Sequence, residues 1–325
     1  MSNRPMRCLV TGGAGFGGSH LVAALVERGA HVTVLDTTPV HEGLAGELGI
    51  SHLVDPVQAD ICDVPRLTEI MRSNRINVVF HLAADPIVAD GVKRPEAMLD
   101  ANVRGTYSVL EACRQSDPMP DVVFASSGAY YGDPSTHTAI PEEQTPGVHA
   151  SLYGPSKVAG EALMLGYANT FGIRHVVCRF TNTYGPGDRH LSRLVPRAMH
   201  LLSRGALYDF GDRDDGTTNL DFLYIGDMAR AYVSAADYLI TGGREHVFNF
   251  GTGSLTSVRD VARAVSRAYD GAERNPVFRG PSQNRFRPHK LLDTRRARTI
   301  LGWEPATPLA EGLAITVAWH RQKAT

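Results

Sequence analysis

The sequence has few cysteines and no long apolar run, and each shortage excludes a class of protein. No apolar stretch approaches the ~20 residues of a membrane-spanning helix, so we expect no membrane partner. The N-terminus runs directly into a predicted strand, which argues against a signal peptide. The cysteines form no Cys-x-x-Cys pair, which excludes a disulfide scaffold and favours thiols in a reducing cytoplasm. They are Cys8, Cys62, Cys113 and Cys178.

The chain also lacks an excess of either charge. Its 33 Lys and Arg nearly balance 34 Asp and Glu, for a net charge of −1, and the two signs are interspersed. Such a chain has no basic field for nucleic acid, so we expect no nucleic-acid partner. The 13 histidines show no metal-ligand spacing, so we expect no metal. What remains is 325 residues, 43% of them hydrophobic, enough for one large α/β domain with a smaller lobe.

A glycine-rich loop lies between the first predicted strand, residues 6–11, and an amphipathic helix over residues 19–28. The glycines at positions 12, 15 and 18 suit a tight turn, a close approach of backbone to a pyrophosphate, and packing of the helix on the sheet. The second strand, residues 31–35, ends at Asp36. A carboxylate there bonds a ribose 2′-hydroxyl and repels a 2′-phosphate. The sequence therefore predicts NAD rather than NADP as the cofactor.

Tyr153 and Lys157 stand four residues apart in a predicted helix and so share one face. A Lys ammonium, joined by a cationic nicotinamide ring, favours the phenolate and lowers the pKa of the phenol from about 10. Taken alone the pair means little, because such a ring often only covers apolar surface beside a solvated amine. Together with the glycine-rich loop it predicts an acid/base that works near neutral pH.

Glycines spaced three and three, combined with Tyr-x-x-x-Lys, make the chain resemble the short-chain dehydrogenase/reductases. Further segments resemble the extended branch of that family, the NAD-dependent nucleotide-sugar epimerases, dehydratases and reductases of the UDP-glucose 4-epimerase type. These segments, in order along the chain, are residues 11–16, 60–63, 81–84, 102–106, 126–127, 153–157 and 179–186.

The resemblance implies which residues would bind the cofactor. Gly17 departs from the family, which more often has Ile there, and we expect this to change only the packing beside the loop. The implied residues are Gly12, Gly15, Phe16, Gly17, Gly18, Asp36, Asp60, Ile61, Leu82, Ala83, Ala84, Asn102, Tyr153 and Lys157.

The resemblance also implies a catalytic set and a substrate set. In the catalytic set, Ser127, with Ser126 as the alternative, orients the sugar hydroxyl, Tyr153 takes its proton, and Lys157 holds the nicotinamide ribose. The resemblance implies Ser127 and Asn182 as substrate contacts. We also expect Arg193 and Arg285, the latter because it begins a basic stretch, residues 285–290, that suits phosphate oxygens.

The family's diphosphate-binding Arg is replaced here by Leu220. Arg193, Arg197 and Arg213 are candidates to substitute for it; the alternative is a substrate other than a usual sugar diphosphate.

Two absences distinguish among members of the family. Related dehydratases carry a carboxyl pair directly after the motif hydroxyl, where this chain has Gly128 and Ala129. Epimerising reductases use a Cys and a His where this chain has Ala129 and Arg193. Hydride removal and return then fits best, which is 4-epimerisation through a transient 4-keto sugar. A second acid/base stays open among four residues: Asp85, Lys93, Asp188 and His190.

Three alternatives to a 4-epimerase remain. A 4-keto-sugar reductase would need the same Ser, Tyr and Lys. A dehydratase-like enzyme of this family would need a further acid/base. A dinucleotide-binding sensor without turnover is a different class, and such proteins commonly lose the Tyr or the Lys that this chain keeps.

Apolar runs alternate with amphipathic helical segments as far as residue 180. Strands are predicted at 77–82, 121–125 and 174–180, and helices at 101–115 and 153–171. This alternation predicts an α/β fold, a Rossmann-type doubly wound parallel sheet. Beyond Asn182 the rhythm loosens around helices at 194–204, 228–239 and 257–268, which indicates a smaller C-terminal α/β lobe.

We therefore assign residues 1–180 to an NAD-binding domain and residues 181–226 and 251–325 to a substrate-binding lobe. The resemblance implies that residues 227–250 return to the first domain. It also implies a homodimer in which helices 101–115 and 153–171 pair across a two-fold axis. The second helix has an outward apolar set: Ala162, Leu165 and Ala168.

Overall fold

A computed structural model describes residues 6–132, 138–211, 214–279 and 290–323 of the chain. Its strands in these ranges are β1 Arg7–Thr11, β2 His31–Asp36, β3 Asp55–Gln58, β4 Val78–His81, β5 Asp121–Ser127, β6 His175–Phe180, β7 Asn182–Tyr184, β8 Asn219–Leu220, β9 Phe222–Tyr224, β10 Val247–Phe250 and β11 Thr256–Ser257.

The α-helices in the same ranges are α1 Phe16–Glu27, α2 Leu44–Glu47, α3 Val64–Ser73, α4 Val88–Lys93, α5 Pro95–Leu99, α6 Gly105–Gln115, α7 Tyr153–Phe171, α8 Leu194–Leu202, α9 Ile225–Ile240, α10 Val258–Asp270, α11 Arg295–Leu301 and α12 Leu309–Lys323. A π-helical turn, Asp100–Arg104, joins α5 to α6. None of these described helices is long and apolar enough to cross a bilayer.

Seven strands form one parallel sheet in the order β10-β6-β5-β4-β1-β2-β3. Its central strands read as almost continuous apolar runs because helices cover both faces, as is typical of parallel sheets. Cys8 and Val10 of β1 face one side, where α1 and α9 pack. Leu9, between them, faces the other side, where α3, α6 and α7 pack. The predicted doubly wound α/β fold is confirmed.

A separate cluster of buried side chains lies beyond the sheet, where α8, α10 and α12 pack together. Asp221 joins this region to the sheet. Its carboxylate accepts hydrogen bonds from the backbone N–H of Thr252 at 2.9 Å and of Gly253 at 3.2 Å, just after β10. These hydrogen bonds attach the carboxyl edge of the sheet, where β10 ends, to the segment between β8 and β9 that contains Asp221.

The predicted strands and longer helices are present, with ends that differ by a few residues. The first helix begins at Phe16 rather than at residue 19, because the last glycines of the loop already form its first turn. The helix predicted for residues 101–115 opens as the π-helical turn. The sequence reading missed β3, a four-residue strand of mixed polarity that carries little periodic signal. It also missed α3, although Leu67, Ile70 and Met71 recur there at helical spacing.

Candidate active site

Of the three glycines predicted to shape the loop, the fold requires two, and the third could carry a Cβ without a clash. Gly12 has φ +72°, and a Cβ there would meet the Ala83 backbone at 2.8 Å. A Cβ on Gly18 would lie 2.1 Å from the Gly12 carbonyl oxygen. At Gly15 the nearest atom would be 3.4 Å away, an ordinary contact. Gly12 and Gly18 therefore let the loop and α1 pack, while Gly15 leaves room beside the start of the helix.

Asp36 ends β2 with its carboxylate fixed by backbone donors. Its Oδ2 accepts from the Ala14 N–H and its Oδ1 from the Thr38 N–H, both at 3.0 Å. These bonds hold the carboxylate beside the glycine-rich loop. Such a group can accept a bond from a ribose hydroxyl and repels a phosphate.

A cavity of about 770 Å³ opens along the carboxyl edge of the sheet. All but one of the fourteen residues expected to contact the cofactor line it. The exception is Asn102, which is buried behind the wall: its Oδ1 accepts from the Asp85 N–H at 2.7 Å, and its Nδ2 donates to Ser156 Oγ at 2.9 Å. Sequence reasoning missed several other lining residues, among them Thr37, Cys62, Thr181 and Met228.

His81, at the end of β4, joins the strand that enters the glycine-rich loop to α6. Thr106 donates its hydroxyl proton to the Asn102 carbonyl, so its oxygen accepts from His81 Nε2–H at 3.1 Å. His81 Nδ1 then accepts from the Thr11 hydroxyl at 2.8 Å. Burial lowers the pKa of His81 to about 3, with the charge of Lys157 acting in the same direction. His81 is therefore a neutral, fixed link at neutral pH.

The first turns of α7 bring Tyr153 and Lys157 to the end of β5. Tyr153 shares a hydrogen bond with the Ser127 side chain. Lys157 is buried, and its ammonium donates to the Ala125 carbonyl at 2.9 Å. Its Nζ lies 5.9 Å from the centroid of the Tyr153 ring. The structure thus brings the three expected catalytic side chains together.

The protein groups around Tyr153 do not by themselves lower its pKa, and the sequence expectation joined the charge of Lys157 to that of a nicotinamide ring. Burial raises the pKa of Tyr153, while the bond from Ser127 and the charge of Arg193 oppose the rise. Burial also lowers the pKa of Lys157 to about 8, against the attraction of Glu161. Desolvation disfavours both charged forms, and in this site it outweighs the neighbouring charges.

A second cavity, of about 740 Å³, meets the first at Ser127, Tyr153 and Arg193, which line both. Asn182 lines the second cavity, and its Nδ2 donates to the Asp221 carbonyl at 3.3 Å. Arg285 lies outside the described residues. Aromatic side chains that the sequence reading missed line the far end of this cavity: Tyr208, Phe210 and Phe222.

Of the four candidates for a second acid/base, two line a cavity and two do not. Asp188 lines the second cavity but is buried and paired with Arg193 at 3.3 Å. Asp85 lines the first cavity. His190 and Lys93 line neither cavity; Lys93 is exposed on α4, and His190 Nδ1 shares a 2.8 Å hydrogen bond with the Ser192 hydroxyl.

Leu220, where the family has its diphosphate-binding Arg, lines the second cavity. Of the substitutes proposed from sequence, Arg193 lines it too, whereas the guanidinium of Arg197 lies over the Tyr208 ring, 5.4 Å from its centroid. Arg213 lies outside the described residues. Lys290 is a further cation on the wall of this cavity.

Comparison with known proteins gives consistent matches along the chain. The sequence model of the NAD dependent epimerase/dehydratase family matches residues 8–251. The UDP-glucose 4-epimerase of Mycolicibacterium smegmatis is 36% identical over 326 residues, covering 98% of this chain and 99% of that protein. The UDP-glucose 4-epimerase of Halalkalibacterium halodurans is 32% identical over 332 residues, covering 98% and 96%.

Solved structures agree. The UDP-glucose 4-epimerase of Thermotoga maritima with UDP-glucose superposes with a TM-score of 0.86 at 31% identity, covering 98% of this chain and 100% of that one. The Thermus thermophilus UDP-glucose 4-epimerase in complex with NAD gives a TM-score of 0.83 at 32% identity, covering 97% and 99%.

Proposed function

The chain belongs to the NAD dependent epimerase/dehydratase family and is an NAD-dependent nucleotide-sugar 4-epimerase, and we propose that UDP-glucose and its C4 epimer are its substrates. The observation that carries the proposal is the meeting of Ser127, Tyr153 and Lys157 where the two cavities join. The names of the relatives support UDP as the nucleotide and glucose as the sugar.

We propose that NAD occupies the first cavity. The free space beside Gly15 and the fixed carboxylate of Asp36 suit the pyrophosphate and the adenosine ribose of NAD. Lys157, near the other end, would hold the nicotinamide ribose. When bound, NAD supplies a reversible acceptor for one hydride.

Ser127 and Tyr153 have different roles in the proton transfer. Ser127 orients the C4 hydroxyl of the sugar toward Tyr153, which takes its proton as the C4 hydride leaves. Tyr153 returns the proton when the resulting 4-keto sugar is reduced on its opposite face. Gly128 and Ala129 offer no proton-transfer group beside Ser127, which supports epimerisation over dehydration. Asn182 and Arg193 would contact the substrate.

We assign the two tasks to two parts of the chain. Residues 1–180, with 227–250, would bind NAD, and residues 181–226 and 251–325 would bind the nucleotide sugar. Pairing of β10 with β6 supports including residues 227–250 in the first part. The aromatic side chains at the far end of the second cavity support the second part.

The reaction is tested with UDP-glucose carrying deuterium at C4 and purified protein without added cofactor. A 4-epimerase returns the same hydrogen, so the product, resolved by NMR, should retain the deuterium although no NADH is supplied. In a second assay with a UDP-4-keto sugar and added NADH, stoichiometric oxidation of the NADH would instead establish a reductase. In a third, run with unlabelled UDP-glucose in deuterium oxide, deuterium uptake at C3 or C5 would contradict both. Turnover of dTDP-, GDP- or CDP-sugars alone would reject UDP.

We further propose that the protein is a cytoplasmic homodimer. Its four cysteines are all free thiols, which suits a reducing compartment. The outer faces of α6 and α7 expose Tyr107 at 40%, Leu165 at 54% and Phe171 at 46%, and two such helix pairs would bury them in a four-helix contact. Light scattering at micromolar concentration should give twice the chain mass. Leu165→Glu should shift it toward monomer, and a wild-type monomer would reject the proposal.

A further inference from the structure

Three side chains one turn apart on α7 contact three consecutive residues of β5, residues 125–127. The contacts of Tyr153 and Lys157 are described above. The third side chain is Glu161, and its Oε1 accepts a 2.5 Å hydrogen bond from the Ser126 hydroxyl. Glu161 therefore continues, one turn further along α7, the row of contacts that positions the catalytic pair.

Glu161 also forms a buried ion pair with Arg179, which lies beside Ser126 in the sheet register. Arg179 Nε donates to Oε1 at 2.9 Å, and its Nη2 donates to Oε2 at 2.5 Å. Glu161 is 9% exposed and Arg179 is 3% exposed. A buried ion pair gains little stability over a well-packed apolar pair, because both charges lose their hydration. Stability alone is therefore a weak reason for this carboxylate.

The surroundings of Lys157 explain what a carboxylate does here. Its aliphatic chain and ammonium are buried, and the ammonium stands 5.4 Å from the Phe124 ring centroid. Among the described charged and titratable groups around the Lys157 ammonium, Glu161 is the one that carries a negative charge at neutral pH. These groups are Tyr153 and Glu161 from α7, His81 from β4, Arg179 from β6 behind Glu161, Arg193 at the start of α8 and Tyr232 from α9 on the Tyr153 side.

We propose that Glu161 is a positioning residue for the catalytic pair: its carboxylate ties the end of β5 to α7 and is the counter-ion that keeps Lys157 protonated. It acts through Lys157 and Ser126 and does not line either cavity. The positive charge of Lys157 is what holds a ribose hydroxyl and favours the Tyr153 phenolate. Without Glu161, the buried ammonium would lose its proton at a lower pH.

The proposal concerns the catalytic pair of the function proposed above, and one readout does not depend on the sugar. Equilibrium binding of NAD is measured between pH 5 and pH 9.5 in the full chain. Affinity should fall as Lys157 deprotonates, near pH 8 in the wild type. In Glu161→Gln the midpoint should lie about two pH units lower, as expected for loss of a unit charge one helical turn away at an effective dielectric constant of about 20. The alkaline limb of kcat with UDP-glucose should shift equally.

Two control variants separate charge from packing. Glu161→Asp keeps the charge and should keep the wild-type midpoint even if it loses stability. Ser126→Ala removes the bond to Glu161 but not its charge, and should also keep the midpoint. A midpoint in Glu161→Gln equal to the wild type, or an equal shift in Glu161→Asp, would overturn the proposal. If no UDP-sugar reacts but the NAD midpoint shifts, the substrate proposal fails and this one stands.

Glu161→Gln leaves Arg179 buried without its partner, which can prevent folding. The double variant Glu161→Gln/Arg179→Gln removes both charges and provides a second test. Its midpoint should still lie below the wild type, because Glu161 is the charge that acts on Lys157. If near-ultraviolet circular dichroism shows that this variant also fails to fold, the role of Glu161 is structural and the proposal is wrong.

Discussion

The ammonium of Lys157 donates a hydrogen bond to the carbonyl oxygen of Ala125 at 2.9 Å, and it lies 5.9 Å from the centroid of the Tyr153 ring. The sheet, and not the phenol, therefore fixes the position of this cation. Its influence on Tyr153 acts through space, and its loss disturbs the end of β5 as well as the charge. This arrangement makes the two residues separable by substitution.

Tyr153→Phe should strongly reduce turnover while preserving the fold. It removes one oxygen and little volume, and positioned acid/base catalysis is worth about 10²–10⁴-fold, so kcat should fall at least ~100-fold. Binding of UDP-glucose should change by less than ~1.4 kcal/mol, a factor of ten. Initial rates and calorimetry measure the two quantities. Residual turnover within tenfold of the wild type would assign the proton transfer elsewhere.

Lys157→Ala should reduce both NAD affinity and turnover, unlike the Tyr153 variant. The reason is that, in the proposed function, the ammonium would hold the nicotinamide ribose and would also favour the phenolate. Fluorescence titration with NADH, beside rate measurements, provides the comparison. Unchanged cofactor affinity would contradict this role.

Gly15→Ala and Gly18→Ala should separate cofactor binding from folding. A Cβ at Gly18 would overlap the Gly12 carbonyl, so this variant should lose stability, with a clearly lower Tm. A Cβ at Gly15 meets no atom closer than 3.4 Å, so that variant should keep its Tm. It should bind NAD at least tenfold more weakly, because the methyl group would take the space of the pyrophosphate. Tight NAD binding by Gly15→Ala would place the pyrophosphate elsewhere.

Asp36→Asn should weaken the preference for NAD over NADP. The wild type should bind NAD more tightly, since the carboxylate repels a 2′-phosphate, and the amide should reduce that ratio at least tenfold. Asp60→Asn is the matched control, because Asp60 also lines the cavity and its Oδ1 accepts from the Cys62 N–H at 2.8 Å. That variant should change both affinities alike. If the wild type bound NAD and NADP with equal affinity, Asp36 would not contact the ribose.

His81 should make the protein less stable in mild acid. Its folded pKa of about 3 lies below the unfolded value of 6.5, so the unfolded chain binds one more proton as pH falls between them. Stability that is present above pH 6.5 is therefore lost on acidification, by about 2 kcal/mol between pH 7 and pH 5 for this one group. His81→Gln should remove that part of the slope, as measured by urea unfolding at both pH values. An equal loss of stability between pH 7 and pH 5 in the wild type and in His81→Gln would contradict this prediction.

The features that the sequence predicted are those that local spacing defines. The loop from Gly12 to Gly18 and the pair Tyr153 and Lys157 depend on residues within one or two turns. Placing Asp36 and Ser127 at one site needed a further step, that parallel strands end at the same edge of the sheet, and the role expected of Ser127 came from the family resemblance. A short range of sequence is enough for each of these.

The contacts that the sequence could not predict are long-range polar ones. His81 bonds Thr11, 70 residues earlier, and Thr106, 25 residues later. A polar bridge between elements has no periodicity, so composition cannot distinguish it from an exposed histidine. Asn102 shows the converse: its family motif was recognised, but only the structure shows both ends of its amide used within the protein.

The position of β10 at the end of the sheet also affects synthesis of the chain. β10 joins β6 only after residues 181–246 have been translated, because the two strands are neighbours in space and distant in sequence. Until then all six residues of β6, buried in the finished protein, belong to an open sheet edge on the nascent chain. An exposed, apolar edge strand pairs readily with other chains. Products of premature termination before Val247 should therefore aggregate or bind chaperones, whereas the complete chain covers that edge itself.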